Sequence, residues 1–211
     1  LLKRAVSSVL NQTYTNFEMI IVDDCSKDNT EQAVGNINDN RIKYIKLGSN
    51  KGPAGARNIA IKSARGQYIT LLDSDDEYLP NKLELQINKF RELPEQVGVV
   101  YSGYLIVYEP DTVHGTVLPR YNGNLFDILL KHNCMGSPTP LIRKECFDTC
   151  GLFDESLPSY DDWDMWIRIS EKFKFEYVNE PLAKVYTHGE QTSTNIESTI
   201  KVRDLLFKKY E

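Results

Sequence analysis

Tyr68-Ile69-Thr70-Leu71-Leu72-Asp73-Ser74-Asp75-Asp76 runs a short apolar, β-forming stretch straight into three carboxylates. An apolar run of this length, bounded by polar residues, reads as a buried strand. Its end lifts acidic groups out of a core and into solvent. In open α/β sheets, ligands bind at the carboxyl ends of strands. Carboxylates gathered there repel one another unless a cation lies between them, and an all-oxygen set suits a hard divalent ion such as Mg2+ or Mn2+. The plainer reading is a helix cap, with an aspartate starting a helix at Glu77-Tyr78-Leu79-Pro80.

The residues before this stretch repeat the pattern. A strand over 17–22 ends in Asp23-Asp24, and Asp28-Asn29-Thr30 supplies helix-start residues before a helix over 31–37. A second strand is predicted over 42–47, then a turn-rich loop over 50–55 and a small-residue helix over 56–64. Strand, helix, strand, helix, strand is the signature of parallel βαβ units. Asp24 and Asp75 would then share one rim of the sheet. The chain opens inside a helix over 1–10, with no strand before it.

Beyond the acidic stretch, an amphipathic helix is predicted over 80–93 and a long β segment over 97–108, bent at Gly103. A loop over 109–124 leads to a helix over 125–132 and a short strand at 141–142. A helix over 144–150 stops at Gly151, and a strong helix over 161–173 carries Trp163 and Trp166. Two short strands, 174–178 and 184–187, precede an amphipathic helix over 196–210.

The 211 residues suit a single domain, and 41% hydrophobic content leaves ample material for a core. A net charge of −5 argues against broad nucleic-acid binding. No run is long enough to span a bilayer, and Leu1-Leu2-Lys3-Arg4 does not open a secretory leader. Cys25, Cys134, Cys146 and Cys150 lack Cys-x-x-Cys spacing and read as reduced thiols of a cytoplasmic protein.

Taken in order, the motifs become specific. They are Val22-Asp23-Asp24-Cys25-Ser26-x-Asp28, Asn50-x-Gly52 through Ala56-Arg57-Asn58, and Ala64-x-Gly66 through Leu72-Asp73-Ser74-Asp75-Asp76. Gly151-x-Phe153-Asp154-Glu155, Asp161-Asp162-Trp163-Asp164 and His188 with Ser193 follow. This series resembles the family 2 glycosyltransferases over nearly the whole chain. The resemblance implies a GT-A fold, an α/β architecture with a Rossmann-like, mostly parallel sheet flanked by helices. It also implies one departure. The family's sheet opens with a central apolar strand that touches the nucleotide; that strand is lacking here, and residues preceding Leu1 are expected outside this sequence.

The resemblance also implies roles. Asp24 would accept a hydrogen bond from the donor nucleobase, which favours uracil. Arg57 would contact the nucleotide, where its planar fork suits base oxygens or phosphate. Asp73 would lie near the ribose, and Asp75 would hold Mn2+ or Mg2+. His188 would approach the metal or diphosphate, as a neutral imidazole can. Asp162 would be the catalytic base, with Asp161 and Trp163 on the acceptor side. Each has a plainer alternative: a turn-forming Asp24, an exposed Arg57, a loop His188, a core Trp163, and first-turn helix capping for Asp161, Asp162 and Asp164.

The chain is therefore expected to be one GT-A domain over 1–211, with a nucleotide-binding half (1–76) and an acceptor-binding half (77–211). The expected function is inverting transfer of a sugar from a nucleoside-diphosphate donor, with UDP favoured, to a hydroxyl of a glycan or lipid-linked acceptor in bacterial surface polysaccharide synthesis. The competing readings are a sugar- or nucleotide-binding module without turnover and an Asp-dependent phosphohydrolase. No nucleic-acid partner is expected. Location at the inner face of the membrane and a homodimer both fit, with Lys208-Lys209 able to touch anionic lipid or a second subunit; a solvated helix face is the simpler reading.

Overall fold

The computed structural model describes residues 1–108, 110–187, 203–206 and 208–210. In chain order the elements are α1 (Leu2–Leu10), β1 (Met19–Asp23), α2 (Thr30–Gly35), β2 (Ile42–Lys46) and α3 (Gly52–Ser63). Then come β3 (Tyr68–Thr70), β4 (Glu77–Tyr78), α4 (Lys82–Arg91), β5 (Val97–Tyr108), β6 (Thr112–Val117) and α5 (Phe126–Leu129). The series closes with β7 (Leu141–Arg143), α6 (Lys144–Cys150), α7 (Asp161–Ser170) and β8 (Lys174–Thr187). Residues 203–206 and 208–210 are helical.

The architecture is α/β with a mixed sheet. β1 and β2 form a parallel pair, and a six-stranded sheet runs β3-β7-β5-β8-β4, with β6 hydrogen-bonded to β5. Helices cover both faces. Val99, Ile142, Met165, Trp166, Ile169 and Phe175 form the larger core under α5, α6 and α7. Ile87, Phe90, Val97, Val100 and Leu141 form the core under α4. With helices on either side, β5 is buried along its first seven residues, which is why it reads as an unbroken apolar run.

The place where the resemblance puts a first strand is a cavity. Among the described residues β1 pairs only with β2, and β3 only with β7. Between them lies a space of about 1130 Å³, lined by α1, α3 and the facing sides of β1 and β3.

Several expectations shift in ways that pairing explains. The two short strands predicted over 174–187 are one strand, β8, parallel to β5 along its length. Pro181 breaks the sequence pattern but not the strand. It lies opposite Gly103, where the register slips on both sides, so the irregularities coincide. A Cβ on Gly103 would come within 2.5 Å of the Val117 carbonyl oxygen, consistent with the bend expected there. Part of the predicted 109–124 loop is β6, whose pattern His114 and Gly115 dilute and whose order comes from its hairpin with β5. The predicted loop at Gly52–Gly55 is the first turn of α3, with Pro53 where its missing N–H is harmless. Glu77-Tyr78 starts no helix; it is β4, paired antiparallel with β8. The helix-cap reading of Asp75 and Asp76 fails on that point.

One core residue carries a testable charge effect. Lys82 of α4 is completely buried, and its Nζ donates to Gln86 Oε1 at 2.7 Å and to Thr70 Oγ1 at 3.0 Å. Both acceptors are neutral, so burial pulls the amine down to about 7. Between pH 7 and the ordinary lysine range the unfolded chain binds the extra proton, so stability rises with pH there. Denaturant titrations should show a slope of up to about 1.4 kcal/mol per pH unit from this group, and Lys82→Met should remove it. An identical slope in Lys82→Met would contradict the assignment.

Candidate active site

Four segments build the site: the end of β1, the start of α3, the turn between β3 and β4, and the start of α7. At the end of β1 the chain turns sharply, with Cys25 at φ 69°. Asp23 holds the turn by accepting from the Ser26 amide at 2.7 Å and from the Tyr44 hydroxyl. Asp24 faces the start of α3. Its Oδ1 accepts from the Lys51 amide at 2.6 Å and its Oδ2 from the Gly52 amide at 2.8 Å. Asp24 thus pins α3 to β1, and each oxygen retains a further lone pair for a ligand. Gly52, at φ 74°, supplies the backbone turn this needs.

The aspartates of the central motif divide their work. The turn closes with the Asp76 amide donating to the Asp73 carbonyl at 3.2 Å. Asp73 Oδ1 accepts from the Arg57 guanidinium at 2.8 Å. Asp76 is buried and its Oδ1 accepts from the Tyr186 amide at 3.0 Å. Burial, with Asp73 and Asp75 nearby, pushes its carboxyl up to about 8. Asp75 is the half-buried member at the rim, and its carbonyl accepts from Arg4 at 2.6 Å.

Across the rim, α7 begins with Tyr160 in the left-handed region, at φ 58° and ψ 21°. Such backbone in a non-glycine residue is uncommon and clusters at functional sites. It presents three aspartates in one helical turn, and the surroundings separate them. Asp161 Oδ2 accepts from the other arm of Arg57 at 2.7 Å. Asp164 is fully buried and accepts from Arg168 at 2.9 Å, Tyr210 at 2.7 Å and Lys209 at 2.8 Å. It is a structural anchor, which removes it from the competition for the base. Asp162 is half-buried, and its Oδ1 accepts from the adjacent Trp163 amide at 2.7 Å. Burial first, then the charge of Asp161, push its carboxyl up to about 6, against the pull of Arg57. A carboxyl so raised is a stronger base than a surface aspartate and is still ionised at neutral pH.

Arg57 is the joint that brings Asp73 and Asp161 together with Asp162 beside them; Asp75 shares the turn of Asp73, and Asp24 lies at the start of the helix that carries Arg57. Trp163 is turned inward, its indole N–H donating to the Leu129 carbonyl at 2.7 Å, and lies beneath the acceptor side. His188 and Ser193 lie outside the described residues. Lys209 pairs with Asp154 and Asp164, each at 2.8 Å. Sequence reasoning missed Arg4 and Asn58. Arg4 stacks 3.4 Å over the Tyr186 ring while holding the Asp75 carbonyl. Asn58 is buried and clamps the chain at Phe153 in both directions. Arg4 carried no local motif, whereas Asn58 stood inside the Ala56-Arg57-Asn58 signature.

Among the described residues no three histidine, cysteine or acidic side chains converge as a ready-made metal cage. One rim carboxylate fits an ion such as Mg2+, which is commonly held by one or two carboxylates, substrate phosphates and water. Asp75, half-buried at the rim, is the carboxylate to which the resemblance gives such an ion.

The site is thus a mixed α/β sheet whose acidic turn is tied to an acidic helix start. The chain belongs to glycosyl transferase family 2, whose model matches residues 1–148. It is 34% identical over 175 residues to the Escherichia coli protein named UDP-Glc:alpha-D-GlcNAc-diphosphoundecaprenol beta-1,3-glucosyltransferase WfgD, covering 83% of this chain and 66% of that one. Staphylococcus aureus TarS 1-349, solved in complex with UDP-GlcNAc, shares the fold at a TM-score of 0.76 and 23% identity, over 97% of this chain and 61% of that one. The mannosyltransferase PcManGT from Pyrobaculum calidifontis, solved with GDP-Man and Mn2+, aligns at a TM-score of 0.72 and 16% identity, over 99% and 59%. The chain spans only part of its curated relatives, 67%, 61% and 36% of the length of three of them.

Proposed function

We propose that this glycosyltransferase moves a sugar, with inversion, from a UDP-sugar to a hydroxyl of a lipid-linked saccharide in surface polysaccharide assembly. The observation that carries the reading is the single rim that joins Asp24, Asp73 and Asp75 to Asp161 and Asp162. In it, Asp24 meets the nucleobase, Asp73 the ribose, and Asp75 holds a Mn2+ or Mg2+ ion. The ion, when bound, offsets the diphosphate charge as the leaving group departs. Asp161 orients the acceptor hydroxyl and Asp162 takes its proton as the oxygen attacks the anomeric carbon opposite the diphosphate. The first 76 residues supply the donor side and 77–211 the acceptor side. The E. coli relative's UDP-glucose donor and diphosphoundecaprenol-linked acceptor support the choice of substrates, and the Mn2+ in the archaeal neighbour supports the metal. A lipid-linked acceptor places the work at a membrane surface. Among the described residues no helix is long and apolar enough to cross one.

A thermal-shift panel of UDP, GDP, ADP and CMP, each with and without Mn2+, tests this. A ligand bound only by the folded state at a hundred times its Kd adds about 2.7 kcal/mol of stability. UDP with Mn2+ should give the largest rise in Tm, and a flat panel would remove the donor assignment. Sugar transfer from UDP-glucose, followed by released UDP, separates an enzyme from a module that binds without turnover.

A further inference from the structure

Arg57 does not stand where a nucleotide contact should. Its guanidinium lies mostly buried, with NH2 on Asp73 Oδ1 at 2.8 Å and NH1 on Asp161 Oδ2 at 2.7 Å. The Phe153 ring lies below it, 5.7 Å from the guanidinium carbon. One partner sits in the central acidic turn and the other on the first turn of α7, 104 residues from Arg57 in sequence. Two arms of one planar cation are therefore committed to carboxylates on opposite sides of the cleft. Burial disfavours the cation, yet the two aspartates hold its pKa above the ordinary value, so it stays charged at any working pH.

We infer that Arg57 is a positioning residue, a cross-brace that fixes the α7 aspartates against the central acidic turn and holds Asp162 ionised, rather than a donor contact. The inference rests on the transferase reading with Asp162 as base. Among the described residues, the groups that act on Asp162 are Asp161 on its own helix, Asp73 across the cleft, the Trp163 amide and Arg57. Both carboxylates oppose ionisation of Asp162. Arg57 is the cation among these groups, and it touches both of the offending carboxylates. Removing it uncovers two negative charges beside the base and unties the helix that carries it. A point-like ammonium cannot span both partners as the fork does, so lysine should restore charge without restoring the brace.

The test compares Arg57→Gln, Arg57→Lys and Asp161→Asn. Carbon-13 NMR of labelled aspartates follows Asp162 directly, its signal assigned by its absence in Asp162→Asn. Calorimetry with UDP and Mn2+ follows the donor side. In Arg57→Gln the Asp162 midpoint should rise from near 6 by at least about one pH unit, as expected for loss of a neighbouring opposite charge. Arg57→Lys should lie between, and Asp161→Asn should move the midpoint down. The acid limb of transfer should follow the NMR midpoint, with kcat falling and the UDP affinity of Arg57→Gln changing less than about threefold. An unmoved Asp162 midpoint together with a tenfold loss of UDP affinity would overturn the inference and return Arg57 to the nucleotide. The NMR titration needs no turnover, so a wild type that fails to bind UDP or transfer sugar would sink the function reading while leaving the brace decided on its own terms. If Arg57→Gln does not fold, Arg57→Lys and Asp161→Asn still give opposite predicted shifts.

Discussion

Asp162→Asn is expected to retain UDP binding and to lose sugar transfer by at least about a hundredfold, the lower end of general-base contributions. The substitution preserves the shape of the side chain, and its amide oxygen still accepts from the Trp163 N–H that Asp162 Oδ1 now holds. What it removes is the capacity to take a proton from the acceptor hydroxyl as the C–O bond forms. The neighbours sharpen the prediction. Asp164, fully buried among Arg168, Lys209 and Tyr210, cannot reach a substrate. Asp161 is buried and held in an ion pair by Arg57 at 2.7 Å, so that oxygen is already engaged. The wild-type rate should carry the same signature: with the carboxyl raised to about 6, transfer should fall as pH drops through 6 and hold above it. Steady-state rates across pH 5 to 8 check this. Full transfer by Asp162→Asn, alongside a dead Asp161→Asn, would shift the base by one residue.

Asp75→Ala should produce the second large effect. Outer partners of metal ligands cost about 10–100-fold when replaced, and a direct ligand should cost no less, so UDP affinity in Mn2+ should fall by roughly a hundredfold. Calorimetry with and without Mn2+ checks it. The variant should fold normally, because Asp75 is only half-buried at the rim and alanine keeps the backbone carbonyl that Arg4 holds. Equal affinities in the two proteins, with the same response to Mn2+, would show that Asp75 holds no ion. Asp76→Ala should behave oppositely, losing stability first, because its carboxylate accepts from a buried Tyr186 amide.

Much of this was legible in the residues. Apolar runs ending in Asp23-Asp24 and Asp73-Ser74-Asp75-Asp76 set the rim before any coordinate was known, because strand ends and acidic residues are both local signals. The start of α7 was legible as an acidic first turn, though not the left-handed Tyr160 that aims it. What stayed hidden depends on partners far along the chain. β4 is two residues long and exists because β8 passes beside it, more than a hundred residues later. Asp161, Asp162 and Asp164 are equivalent by pattern, and only Arg57, the core and Lys209 distinguish them. Nothing in the helix of Arg57 reveals the two carboxylates that reach it from elsewhere in the chain.

The same interlocking has a consequence for anyone building chimaeras. The chain reads as a donor half and an acceptor half meeting near residue 76, an inviting splice point for exchanging substrate preference between relatives. That seam does not exist in three dimensions. A cut there severs β3 from β7 and Arg57 from Asp161. A grafted second half would have to recreate every one of those matches with a foreign first half. Inside the second half, residues 118–140 run between two strands both anchored on β5, yet Gly123 bridges β8 at Phe175 and Leu125 and Leu129 are fully buried in the main core. An exchange of that insert has to carry its buried anchors with it: Leu125, Leu129 and the Leu129 carbonyl that takes the Trp163 indole N–H.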